Sequence, residues 1–361
     1  MHFDTPLPSP TPALGQSFYE QNLNLRLEYS AAARDNYANY ISSNRREILP
    51  SYRPIKLDVE PISRCNFKCT MCVVSTWEKG KRSDDLTLES FQSILQSEPQ
   101  VVELKLQGLG EPLMLGEPLF EMINFARRQF IWVRTTTNAS RLHINENYRK
   151  LIDSRICEVQ VSIDGATEKT FEAIRNGSKA KRVFENCQIL NSYAAGSGWN
   201  CTKMWTVVQS ANVGELEALV DTAFNLGFTS QCFAIDLHGW GLEEWNEKNK
   251  RSESTMNSLS SQRLLNLVEY GQNKGIKVEF WQNSTKYSTS SPEKLCPWPF
   301  ERTMISSDKR VTPCCMISNP DTFEIGKGYS SNIWASVEYQ DFRTKHLNGD
   351  IPEACRMCYD E

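Results

Sequence analysis

Short apolar runs alternate with longer stretches of helical period through the middle of this chain. Strands are expected at 55–60, 101–106, 130–136, 156–163, 202–209, 229–235 and 276–281, where apolar and β-branched residues cluster between turn residues. Between them, 86–96, 119–128, 183–194, 215–226 and 259–273 repeat apolar positions every three or four residues, the pattern of helices with one buried face. Strand–helix alternation of this kind predicts an α/β fold with a parallel sheet of right-handed βαβ units. Ahead of this region, 1–14 is Pro-rich and expected to be disordered. Residues 15–48 carry a helical pattern through Phe18, Leu23, Leu25, Leu27, Tyr29, Tyr37, Tyr40 and Ile41. Beyond 285 the helical period fades and cysteines return. The expected organisation is an N-terminal extension (1–50), a core (51–285) and a small Cys-rich domain (286–361).

Composition narrows the function classes. A net charge of −4 with both signs interspersed gives no electrostatic case for nucleic acid or an anionic membrane. No apolar run reaches the roughly 18 residues a membrane span needs, and Met1–Ala13 lacks the basic start and apolar stretch of a signal peptide. Twelve cysteines without an export signal fit a reducing, cytoplasmic compartment and metal thiolates better than a disulfide framework.

Cys65, Cys69 and Cys72 form a CxxxCxxC triplet just after the first expected strand. Three thiolates can hold three irons of a 4Fe–4S cubane and leave the fourth iron open to a chelating ligand. A structural zinc site would call for a fourth protein ligand, and no nearby Cys or His supplies one.

With its surroundings, the triplet resembles the radical S-adenosylmethionine (SAM) superfamily. Gln107-Gly108-Leu109-Gly110-Glu111-Pro112 is similar to the family's glycine–glutamate segment, Thr136-Thr137-Asn138-Ala139 closes the third strand, and Val159–Gly165 reads VQVSIDG, with Arg175 on the next helix. The resemblance implies an open, partial (β/α)6 radical SAM barrel with the cluster loop after its first strand. It implies a 4Fe–4S cluster on Cys65, Cys69 and Cys72, and SAM held by Gly108, Gly110, Glu111, Asn138, Ser162, Asp164 and Arg175. Glu111 would accept from the SAM ammonium and Arg175 would pair with its carboxylate. Glycines at 108 and 110 would let the backbone approach closely. One electron from a flavodoxin- or ferredoxin-type donor would cleave SAM to a 5′-deoxyadenosyl radical that takes hydrogen from substrate. No catalytic residue beyond these is assigned.

In the tail, Cys296, Cys314, Cys355 and Cys358 supply four thiolates, enough for a zinc site or a second 4Fe–4S cluster by residue type alone. Their order resembles a SPASM/twitch-type auxiliary cluster domain, which implies iron–sulfur. Cys315 is left without a cluster role, and Cys157, Cys187, Cys201 and Cys232 are expected to be buried small hydrophobes. His238, with Asp236 and Trp240, follows the sixth strand on the expected substrate face, and a packing role is expected for it. Trp281, Trp298 and Trp334 are likewise expected to pack. The layout is similar to 2-deoxy-scyllo-inosamine dehydrogenases, which implies a dehydrogenase-type oxidoreductase acting on a small carbohydrate-like alcohol. The alternatives are a maturase modifying a peptide or protein side chain, a non-redox epimerase or mutase, and a metal-thiolate binding protein without SAM chemistry.

Overall fold

The computed structural model of the protein describes all residues except 1–5, 79, 83, 238, 251–258, 283–285, 327 and 360–361, and for 246 and 248–250 the backbone only. His238 lies outside the described residues.

Among the described residues, the strands β1 (Lys56–Val59), β3 (Glu103–Leu106), β4 (Trp132–Thr137), β5 (Glu158–Ser162), β7 (Thr202–Val207), β8 (Ser230–Ala234) and β9 (Lys277–Trp281) follow one another in one parallel sheet. Two short strands, β2 (Lys68–Cys69) and β6 (Arg175–Asn176), form a separate antiparallel ribbon. The main sheet continues past β1 into β10 (Arg302–Ile305), parallel to it, and β11 (Val311–Thr312), antiparallel. The tail begins by covering the edge of β1, which would otherwise expose unpaired backbone groups. The other edge is β9, so the sheet stays open.

Alternation along the strands builds two environments. Leu57, Leu104, Val133, Val159, Met204 and Val278 join the large core under the helices. The alternate positions are charged yet deeply placed. Arg134 meets Glu103 at 3.1 Å, and Lys203 meets Glu279 at 2.9 Å and Glu158 at 4.0 Å. Lys56 reaches Glu103 at 3.6 Å. Charges contributed by so many strands and paired with one another line the concave side of the sheet. Helices Leu88–Ser97, Glu168–Ile174 and Ser261–Asn273 start on Thr87, Thr167 and Ser260, whose hydroxyls accept from backbone amides three residues on.

The N-terminal extension departs from expectation. Residues 6–14 are bound at the base of the sheet instead of lacking structure. The Phe280 amide donates to the Pro8 carbonyl at 2.8 Å, Thr11 N and Oγ1 donate to Glu279, and Ala13 N donates to Glu158 at 3.0 Å. Lys203 donates to the Thr11 carbonyl. Proline-rich backbone suits this place, because an extended chain without many amides can lie along an edge strand. Helices Gln16–Tyr29 and Ala31–Ser42 follow. The buried side of the first is held by Asn22 and Arg26, while Leu25 and Tyr29 of the expected apolar face are exposed. Arg26, 1% exposed, donates to the carbonyls of Val101, Gln129 and Pro99.

Candidate active site

The Cys65–Cys72 loop follows β1 and is held from two sides. Cys69 pairs with Arg175 in the β2–β6 ribbon, and Thr70 N donates to the Ile174 carbonyl at 2.9 Å. Arg175 falls one residue past its helix, on the ribbon. Its Nη1 lies 3.9 Å from Cys69 Sγ, and its Nη2 lies 2.6 Å from Asp164 Oδ2. Asp164 Oδ1 accepts from Val207 N at 2.7 Å. Burial pushes the Asp164 carboxyl up, against the pull of Arg175. Arg175 Nε keeps a buried donor with no partner among the described residues. Asn138 reaches the loop from β4, its Nδ2 3.9 Å from Cys65 Sγ and 3.1 Å from Asn66 Oδ1. Ser162 is partly exposed at the end of β5, two residues before Asp164. Burial raises the thiols of Cys65 and Cys72 to about 12 and moves Cys69 upward. The closeness of Cys65 and Cys69 adds to the shift at Cys72. Iron binding must displace these protons. Three thiols on one loop that act on one another fit a cubane that keeps one open iron.

The glycine segment also packs tightly on the chain itself. A Cβ on Gly108 would collide with the Glu60 side chain, and one on Gly110 with the Ile62 carbonyl. Both glycines are therefore required by packing of the chain on itself. Glu111, 2% exposed, accepts from Thr137 Oγ1 at 2.6 Å, Asn138 N at 2.7 Å and Leu113 N at 3.2 Å. A carboxylate has about four acceptor positions, so one is left for a ligand ammonium. Burial raises its carboxyl, opposed by those three bonds.

Glu60 is the residue that the sequence patterns do not single out. Fully buried just past β1, it accepts from Leu109 N at 2.8 Å, from Ser307 N and Oγ at 3.1 and 3.2 Å, and pairs with Arg82. It ties the glycine segment to the start of the tail. A single Glu after an apolar strand leaves no sequence signal for that role.

In the tail, Cys296, Cys314, Cys355 and Cys358 line one cavity, with about 350 Å³ of empty space and walls that include Trp298, Phe342 and His346. Burial raises all four thiols, Cys296 to about 12 and Cys358 to about 11. Among the described residues no three His, Cys, Asp or Glu converge tightly enough for a single ion. By residue type the four thiols could close a zinc site or a 4Fe–4S cluster. Cys315 is not in this wall. Its Sγ lies 3.8 Å from Lys105 Nζ of β3, toward the barrel interior. Cys157, Cys187, Cys201 and Cys232 are fully buried in the barrel region. Trp334 is buried, donating to the Tyr52 carbonyl at 2.9 Å, while Trp298 and Trp281 lie under Arg302 and Lys286 at 4.0 and 3.2 Å.

Residues 59–223 match the radical SAM superfamily, and residues 296–359 match the SPASM iron–sulfur cluster-binding domain. The chain carries a radical SAM domain followed by a SPASM domain. The radical SAM domain implies a 4Fe–4S cluster with SAM, and the SPASM domain implies auxiliary iron–sulfur. Mycofactocin maturase MftC of Mycobacterium ulcerans is 30% identical over 200 residues, 54% of this chain and 51% of that protein. The chain thus spans about half the length of the curated MftC relatives it matches. In fold it is similar to Streptococcus suis SuiB bound to the precursor peptide SuiA (TM-score 0.60, 16% identity, 90% of this chain and 74% of that one). It is also similar to BtrN in complex with AdoMet and 2-DOIA (TM-score 0.50, 13% identity, 85% and 94%). No helix among the described residues is long and apolar enough to cross a membrane.

Proposed function

We propose that this radical SAM–SPASM protein is a maturase that modifies a side chain of a peptide, rather than the oxidant of a small carbohydrate-like alcohol. The observation that carries this reading is the likeness to the maturase MftC, 30% identical over 200 residues. The capture of SuiB with a precursor peptide agrees with it. A surface cleft is lined by Arg46, Lys286, Tyr287, Glu293, Lys294 and Pro297. Lys286 sits at its inner end over Trp281, and burial lowers its amine to about 8.

When bound, the SAM-site cluster and SAM supply a 5′-deoxyadenosyl radical, and the SPASM cluster supplies an electron acceptor. The chain's own part is to hold and shield. Cys65, Cys69 and Cys72 would bind the first cluster, and Cys296, Cys314, Cys355 and Cys358 the second. Glu111 offers one acceptor to the SAM ammonium, and Arg175 Nε offers a donor to its carboxylate. The ion-paired wall holds a substrate in fixed geometry, which keeps hydrogen abstraction selective. A flavodoxin or ferredoxin in the cytoplasm would provide the electron.

The test is anaerobic incubation with SAM, dithionite and peptides encoded by short reading frames beside the gene, read by mass spectrometry. A mass change in a peptide is expected. Conversion of 2-deoxy-scyllo-inosamine with every peptide untouched would overturn the reading.

A further inference from the structure

One pair of charges is left over from the network inside the barrel. Glu103, Arg134, Glu158, Lys203 and Glu279 each have an opposite charge within 4.0 Å. Among the described residues, Asp58 of β1 and Lys105 of β3 have no such ion pair. They are register partners on adjacent parallel strands, whose backbones run about 4.8 Å apart. Asp58 is 1% exposed, and its Oδ2 has no hydrogen-bond partner among the described residues. The Lys105 amine has the Cys315 thiol at 3.8 Å. Asp58 alternates with Leu57 and Val59 of the helix-covered core, so its side chain faces the opposite side of the sheet, beside Lys105. An unmatched acceptor buried so deeply is costly to the fold, and such groups persist where a ligand completes them.

The position fits substrate. Asp58 stands on the strand that leads into the Cys65–Cys72 loop, and Cys315 directly follows Cys314 of the second cysteine site. The subsite therefore lies between the segments that carry the two sites. The pair sets an acceptor at Asp58 beside a donor at Lys105, and a carboxylate, which has no proton to donate to Asp58, does not complete it. What completes the pair is a neutral group that donates to Asp58 and accepts from Lys105 along one edge. A hydroxyl does this through one oxygen, and a primary carboxamide through its N–H and C=O. A trans peptide unit does not, because its N–H and C=O point to opposite sides.

We propose that Asp58 and Lys105, with Cys315 beside them, form the subsite that holds the reacting residue of the substrate through a side-chain hydroxyl or primary carboxamide. This inference rests on the peptide reading above, and it adds the chemical class of the residue presented.

Cys315 supplies the reporter. In the reconstituted holoprotein, kept anaerobic, its alkylation by iodoacetamide is followed by mass spectrometry in the presence of small probes. N-acetylserine methylamide or N-acetylglutamine methylamide is expected to slow alkylation at Cys315, while the alanine and aspartate counterparts are not. Asp58→Asn and Lys105→Met are each expected to weaken that protection roughly tenfold at unchanged iron content, the loss expected for one hydrogen bond to a charged group. Should either variant lose iron, the probe series on the unaltered protein decides the matter alone. No protection by any probe, or protection by the aspartate derivative equal to that by the serine and glutamine ones, would overturn the subsite. Protection by scyllo-inositol with none by any peptide amide would uphold the pair and overturn the peptide reading instead.

Discussion

Replacing Glu103 by Gln tests whether the inner wall of the barrel is held together by charge. Glu103 meets Arg134 at 3.1 Å and Lys56 at 3.6 Å. Burial alone would raise its carboxyl, but Lys56, Arg134 and Arg302 together pull it from 4.5 down to about 2. At about 1.4 kcal/mol per unit, that difference between unfolded and folded protein amounts to about 3 kcal/mol. The figure agrees with the roughly 3–5 kcal/mol lost when one partner of a buried ion pair is removed. Because the folded value is depressed, this stability is present above the unfolded value of 4.5 and is lost as pH falls toward 2. Urea unfolding of iron-free protein, with and without Glu103→Gln, measures it. The variant is expected to be about 3 kcal/mol less stable near pH 7, and the gap to shrink below about half of that near pH 3. An equal gap at both pH values would show that shape rather than ionisation sets the cost. No gap at neutral pH would refute the reasoning outright.

Three further outcomes follow from particular contacts. Arg26→Met should cost several kcal/mol in urea unfolding, since it strips donors from three carbonyls at about 1–3 kcal/mol for each group left buried and unpaired; a loss under about 1 kcal/mol would mean that water replaces the guanidinium. Glu60→Ala should weaken SAM binding by calorimetry as well as stability, because it frees the glycine segment from the start of the tail, and a variant binding SAM like the parent would contradict that link. Gly110→Ala should lower the iron content of the SAM site, as the added methyl meets the Ile62 carbonyl at the base of the cluster loop; full iron occupancy in that variant would count against the packing argument.

Much of the fold is legible because the strands keep a plain physical signature. Each of the seven expected strands forms, with no end displaced by more than two residues, since their apolar positions face a core of helices. What the sequence hides is burial carried by polar side chains. Helix Val337–Leu347 buries Tyr339 and Phe342 together with Arg343 and His346, so its apolar stripe is broken and the tail reads as irregular. Arg343 repays its burial by donating to the carbonyls of Pro299, Trp334 and Ile48. Arg26 does the same for the N-terminal helices, and the segment before them is ordered through contacts with Glu279 and Glu158 far along the chain. The cysteines stood out because CxxxCxxC and CxxC are local spacings. Glu60, Asp58 and Lys105 carry no local spacing, and their roles depend on which strands lie side by side.

The account's central claim, a SAM-cleaving cluster in the barrel and a second cluster in the tail, is tested most directly by iron and sulfide content after anaerobic reconstitution, read beside 5′-deoxyadenosine formed with SAM and dithionite. About eight irons are expected in the parent protein. About four should remain in Cys355→Ala with SAM cleavage retained, and about four in Cys69→Ala with cleavage abolished. Continued 5′-deoxyadenosine formation by Cys69→Ala, or an iron content indifferent to Cys355, would contradict it.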